Sequence, residues 1–139
     1  MLYSRLDVPP FTHLEPTMPR QTLDEAHIHP AIRSKIADHQ HTIVQEVMAA
    51  VKDNAVVVVG MGLNPFPKKA RKSLDLVKQP YKYLEYGNYF NNWNRRNALK
   101  MWCGWPTFPM VFVKGTLVGG ANDLQALIDS GEFEKMLGT

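Results

Sequence analysis

Apolar positions along this chain follow two different periods. Between Pro30 and Lys52, Ile32, Ile36, Ile43, Val44, Val47, Met48 and Val51 recur three and four residues apart, which is the repeat of one helical face. Proline suits a first helical turn, so the helix is predicted to start near Pro30. The run is long enough for two helices with a break near His39 to Thr42, and Asp53-Asn54 stops it. Ala55 to Gly60 then reads AVVVVG, a continuous β-branched run expected of a central strand covered on both faces.

Punctuation places the remaining elements. Gly60-Met61-Gly62-Leu63 is a loop, and Asn64-Pro65 supplies a cap residue and a first-turn proline for a second helical region. Leu74 and Val77 mark its apolar side, Lys68, Lys69, Arg71 and Lys72 its wet side, and Pro80 its end. Tyr81 to Glu85 reads as a second strand. A helical link between two strands predicts a parallel, right-handed unit. Gly87 to Asn92 is a loop, Trp93 to Cys103 a helix stopped by Gly104, and Met110–Val113 and Thr116–Val118 two strands joined at Lys114-Gly115. Asn122 is expected to cap a last helix, Asp123 to Ser130, with Phe133 to Leu137 adding a turn.

The order β-α-β-α-β-β-α behind an extra helix predicts an α/β fold: a mixed four-stranded sheet flanked by helices, with an N-terminal helical extension. Residues 1–30, broken by Pro9, Pro10, Pro16, Pro19 and Pro30, are expected to be an irregular arm. Residues 31–139 form the domain.

Charge and cysteine content narrow the function. The net charge is +3, with four basic and six acidic side chains in residues 1–50 and twelve and seven in residues 51–139. That excess suits an anionic small ligand or an acidic protein face and lacks the concentrated stripe of a nucleic-acid binder. Cys103 is the only cysteine, so no internal disulfide is possible. No segment approaches the roughly 20 apolar residues of a membrane span, and Met1 to Pro10 does not read as a signal peptide; no membrane partner and a cytoplasmic location are the expectations.

Three segments together resemble the glutaredoxin family, which has the thioredoxin fold. Gly104-Trp105-Pro106-Thr107-Phe108-Pro109 is similar to the family's stretch ending in Thr-x-Pro, spelled as in its monothiol branch. Val111-Phe112-Val113-Lys114-Gly115 is similar to the following strand and turn. Val118-Gly119-Gly120-Ala121-Asn122-Asp123 is similar to the glycine pair and acidic helix start that come next. The similarity spans about Thr42 to Leu137. It implies a cis bond before Pro109 and a groove in which the backbone beside that proline pairs with a cysteine-containing peptide such as glutathione.

The resemblance also implies what is missing. It places the family's redox cysteine at Asn64, so Asn64-Pro65-Phe66-Pro67 stands for the cysteine-proline-aromatic-cysteine motif with both cysteine positions gone. Asparagine can cap a helix but cannot attack a disulfide or ligate a cluster, so no catalytic residue, no metal and no iron–sulfur cluster are expected there. Arg96 aligns with a basic residue that contacts the glycine carboxylate of glutathione. Gly120, Ala121, Asn122 and Asp123 align with the loop holding its γ-glutamyl end. Met61 stands where relatives carry a lysine, and Asn122 where they usually carry aspartate. The candidate ligand set is therefore Arg96, Thr107, Phe108, Pro109, Gly120, Ala121, Asn122 and Asp123, with glutathione as candidate cofactor.

Other features read in two ways. Cys103 is the remaining nucleophile, but at a helix C-terminus the dipole disfavours its thiolate. Lys68-Lys69-Ala70-Arg71-Lys72 is a solvated face or an attractor for an acidic partner. His27-x-His29 and His39-x-His41 lack a nearby cysteine to complete a zinc set. Tyr81, Tyr83, Tyr86, Tyr89, Phe90, Trp93, Trp102 and Trp105 are mostly core in this reading, the rest a partner surface. The leading function is a non-catalytic binding or adaptor domain using the Thr107-Phe108-Pro109 groove for a peptide, a glutathione-like ligand or a protein partner. The alternative is a glutathione-dependent thiol-disulfide oxidoreductase acting through Cys103 or a partner thiol. A third reading is homo-oligomerisation through the N-terminal extension.

Overall fold

The computed structural model describes residues 20–138. Most of the expected arm, residues 1–19, lies outside them. The chain divides into two units at Ile36/Ala37. In the first, Asp24 caps a 3-10 turn, Glu25–His27, and Arg33 donates to the carbonyls of Ile28 and Glu25 at 3.0 and 2.9 Å. Helix α1 runs Pro30–Asp38, with Ile32 and Ile36 exposed.

The break expected near His39 to Thr42 is made by Gln40, whose φ of 48° interrupts the helix before α2, His41–Asp53. Ile43 and Val47 of α2 are buried, Val44 and Val51 half-buried and Met48 exposed. Asn54 ends α2 and returns its side-chain Nδ2 to the Ala50 carbonyl at 2.9 Å.

The remaining elements are β1 (Val56–Gly60), α3 (Pro65–Leu76), β2 (Lys82–Glu85), α4 (Trp93–Cys103), β3 (Met110–Val113), β4 (Thr116–Gly119), α5 (Ala121–Ser130) and α6 (Glu132–Met136). The sheet order is β2-β1-β3-β4. β1 is parallel to β2 and antiparallel to β3, and β3 is antiparallel to β4. The VVVVG strand is thus central, and all five of its residues are buried.

Alternation along β1 and β3 divides the core between the two faces. Val57, Val59, Met110 and Phe112 pack with Ile43, Val47, Ala98 and Leu99 of α2 and α4. Val56, Val58, Val111 and Val113 pack with Ala70, Leu74, Leu124 and Phe133 of α3, α5 and α6. Register shifts by one residue at Val111/Phe112, so β4 carries a bulge at Val118. Gly60 lets α3 approach β1, since a Cβ there would lie 2.7 Å from Pro67 Cβ. Several boundaries differ from expectation, those around α3 and β2 most. Tyr81 precedes β2, Val77 is exposed past the end of α3, and α3 is reversed by Lys78 (φ 57°) rather than by Pro80. Among the described residues no helix is long and apolar enough to cross a membrane.

Candidate functional site

The site is built at the end of the sheet where β1 runs into α3 and the loop before β3 meets the start of α5. Leu63 takes φ 62° to turn the chain after β1, and Gly62 N–H donates to the Gly87 carbonyl at 2.6 Å, tying this turn to the loop after β2. Asn64 then caps α3: its Oδ1 accepts the Phe66 N–H at 2.9 Å. Pro65 occupies the first turn, where a missing N–H costs nothing. Met61 is buried in the α2–α4 core rather than presented at the surface.

The Phe108–Pro109 peptide bond is cis. Thr107, Phe108 and Pro109 face Gly120, Ala121, Asn122 and Asp123 across a hollow of about 230 Å³, with Phe66 and Trp105 completing its walls. Seven of the eight candidate ligand residues are therefore brought together. Phe108 itself is buried in the core, so it anchors the floor.

Asn122 is not the cap expected from sequence. Gly120 caps α5 with extended backbone, and Asp123 Oδ2 accepts the Gly120 N–H at 2.9 Å. Asn122 lies inside the helix, and its Oδ1 accepts Lys69 Nζ at 2.8 Å. One lysine of the basic run thus bridges α3 to α5. Arg71 is engaged too, its guanidinium 4.1 Å from the centre of the Tyr83 ring.

Arg96 is the exception among the candidates. It is 5% exposed, and its Nη1 donates to the Tyr86 carbonyl at 3.0 Å and the Asn91 carbonyl at 2.6 Å. Burial pulls its pKa below the usual guanidinium value. It props the loop between β2 and α4, where Asn91 Oδ1 also accepts the Asn88 N–H and Asn88 Oδ1 the Phe90 N–H. That loop holds Tyr89 and Phe90 outward, exposed like Trp93 at the start of α4. The other five aromatic residues of the stretch, Tyr81, Tyr83, Tyr86, Trp102 and Trp105, pack on the two cores.

Asn64, Pro65 and Pro67 line a neighbouring hollow of about 390 Å³ with Arg71, Tyr83 and Glu85. There, burial and then the hydrogen bond to Glu85 push the Tyr83 hydroxyl up to about 12. Cys103 lines neither hollow. It is half-buried at the end of α4, its Sγ accepting the Trp105 N–H at 3.4 Å and lying 3.6 Å from Met110 Sδ. Among the described residues no three His, Cys, Asp or Glu side chains are grouped to hold a metal ion. Sequence reasoning missed the reach of Lys69 and the place of Trp105 in the groove wall; both depend on contacts made only on folding.

A glutaredoxin-like protein of Dictyostelium discoideum is 42% identical over 100 residues, covering 72% of this chain and 81% of that protein. The chain belongs to the glutaredoxin family. Its relatives include the monothiol glutaredoxin-S15 of Arabidopsis thaliana, named as mitochondrial, 34% identical over 63% of this chain and 53% of that one. Oxidized glutaredoxin 2 of Chlamydomonas reinhardtii superposes with a TM-score of 0.62 at 28% identity, over 71% of this chain and 94% of that one. The buckwheat glutaredoxin–glutathione complex shares the fold, with a TM-score of 0.63 at 22% identity over 73% and 92%. No protein-family model matches the chain. The mixed four-stranded sheet flanked by helices is thus the glutaredoxin form of the thioredoxin fold, as the Thr-x-Pro and Gly-Gly segments implied.

Proposed function

We propose that this glutaredoxin is a binding or adaptor domain rather than a thiol catalyst, holding a peptide or glutathione-like ligand in the Thr107-Phe108-Pro109 groove. One observation carries the reading: the groove walls are assembled, while the only cysteine lies at the end of α4, outside them. The N–H groups opening α5 offer positive partial charge to a ligand carboxylate. Asp123 is committed to the Gly120 N–H, and Asn122 to Lys69, so the polar rim is pre-organised by its own hydrogen bonds. A protein partner presenting a similar segment would use the same walls. An iron–sulfur cluster does not fit, because the groove lining offers no thiolate and Asn64 ends in an amide.

The test pairs two measurements on the full chain. Calorimetric titration with reduced glutathione is expected to show saturable binding that Gly120→Trp, which fills the groove, removes. A glutathione mixed-disulfide reduction assay is expected to show no turnover. Turnover at rates ordinary for the family, abolished by Cys103→Ser, would establish the oxidoreductase reading, which the Trp105 N–H bond to Sγ favours. Turnover that survives Cys103→Ser would sink both.

A further inference from the structure

We infer that this domain carries a second binding site, at the other end of the sheet from the Thr107–Pro109 groove, for a small amphiphilic molecule with an apolar body and a carboxylate or comparable anionic head. A cavity of about 780 Å³ opens there, lined by residues of α2, α4, β3 and β4 and by the two chain segments that flank the strands. Its volume falls in the range of small-molecule sites, roughly 300–1,000 Å³. The groove begins at the residues entering β3, and this cavity reaches the Lys114-Gly115 turn leaving it. β3 therefore separates them by about 13 Å at the usual rise per strand residue.

The cavity exists because three elements stop together. α2 ends at Asp53, and Asn54 swings extended. α4 ends at Cys103, and Gly104 turns away with φ 81°. Lys114 and Gly115, at φ 51° and 83°, fold β3 tightly into β4. The side chains of Val51, Trp102, Phe112 and Leu117 face the space so left. All four pack on the α2–α4 core, so the apolar wall is continuous with the protein interior. Trp102 and Phe112 make the aromatic part, with ring centres 6.0 Å apart.

The charged residues of the lining are all exposed, and their net sign is positive. Lys52 and Lys114 lie on the lining with a single carboxylate, Asp53. Among the described residues neither lysine side chain has a hydrogen bond or ion pair. Asn54 has already given its Nδ2 to Ala50, and Lys114 N–H donates to the Ala55 carbonyl, so the two ammonium groups are the charged donors open to a ligand. An apolar wall beneath two unengaged cations matches a fatty or aryl carboxylate and mismatches a cationic amphiphile. Cys103 lines the cavity as a reporter, the only thiol in the chain. The site is independent of the groove and of whether the groove binds glutathione.

The experiment titrates the full chain with decanoate and decyltrimethylammonium below their micelle concentrations and with decan-1-ol below its solubility limit, following backbone amide shifts and the alkylation rate of Cys103. Decanoate is expected to saturate with Kd below about 1 mM. It should shift Ala55, Gly115 and Leu117, leave Gly120 and Asp123 unmoved, and slow Cys103 alkylation. The Lys52→Glu/Lys114→Glu double variant, altered only at exposed positions, should weaken decanoate about tenfold and strengthen decyltrimethylammonium, as replacement of two weak ion pairs by repulsion requires. Leu117→Trp should fill the cavity and abolish binding. Absence of saturable decanoate binding would overturn the site. So would shifts confined to Gly120 and Asp123, or binding that appears only with a doubling of molecular mass. Equal affinity for all three probes, unchanged by charge reversal, would overturn the anionic class of ligand.

Discussion

Lys69 Nζ and Asn122 Oδ1, 53 positions apart in sequence, meet at 2.8 Å where α3 and α5 flank the groove. The contact joins the solvated basic run to the residue at which the resemblance places an aspartate in most relatives. It also fixes which way the Asn122 amide points, with its oxygen toward α3.

Asn122→Asp would turn this hydrogen bond into an exposed ion pair. Such pairs contribute up to about 1 kcal/mol and weaken in salt. Chemical denaturation should therefore show a small rise in midpoint at low ionic strength that vanishes at high ionic strength. Lys69→Ala should remove that rise. If the variant is no more stable than the parent at low salt, the two side chains do not meet in solution.

Arg96→Gln should destabilise the fold without touching the groove. The guanidinium is buried and supports two backbone carbonyls, Tyr86 and Asn91. Losing hydrogen bonds from a charged donor costs roughly 1.5–3 kcal/mol. Arg96→Lys should recover part of it, because both bonds leave one nitrogen, Nη1, and an ammonium has donors for two carbonyls. Urea unfolding measures the cost. An unchanged midpoint would mean that the loop carrying Tyr89 and Phe90 stands without this prop.

How much of this was legible in sequence depends on whether the cause was local. The AVVVVG run announced a strand buried on both faces, and β1 is that strand. Asn64-Pro65 announced a helix start, and the Asn64 cap bond is there. Trp93 to Cys103 ends where Gly104 made it end. Asn122 misled because Gly120, with Asp123 two positions into the helix interior from Ala121, performs the capping job two residues earlier. The family resemblance put Arg96 among the ligand groups; its burial and its hold on carbonyls ten and five residues earlier in the chain had no sequence signal, because exposed and buried arginines look alike. The cavity beside Cys103 left no signal, since it arises from three element ends converging in space.

Asn64→Cys returns the family's residue to the start of α3, and the α3 dipole then decides its ionisation. Pro65 and Pro67 carry no N–H, so the Phe66 N–H, which now serves Asn64, and the positive end of the α3 dipole are what would stabilise a thiolate. Its pKa is expected below the free-thiol value of about 8.5. Ultraviolet thiolate absorbance, measured in a Cys103→Ser background, gives the titration directly. Asn64→Ala in the same position should cost about 1 kcal/mol through the lost cap. A titration midpoint at or above the free-thiol value would show that the α3 start no longer has the shape the family uses.

Alkali should unfold this protein through its tyrosines. Tyr83 is pushed up to about 12 by burial and then by its hydrogen bond to Glu85. Tyr86 is raised further by burial and by donating its hydroxyl to Glu46 of α2. In both, the folded state holds its proton above the pH at which the unfolded chain, near 10, releases it. The folded state then binds more protons than the unfolded one, so stability falls as pH rises through this interval. The stabilisation linked to these two hydroxyls is complete below pH 10 and declines from there toward pH 12, where Tyr83 ionises in place. Tyr83→Phe and Tyr86→Phe remove the linkage and should each flatten the slope of urea midpoint against pH in this window. Tyr86→Phe should flatten it more, and should also lower stability at neutral pH by leaving Glu46 without its donor. A slope that both variants leave unchanged would assign alkaline unfolding to other groups.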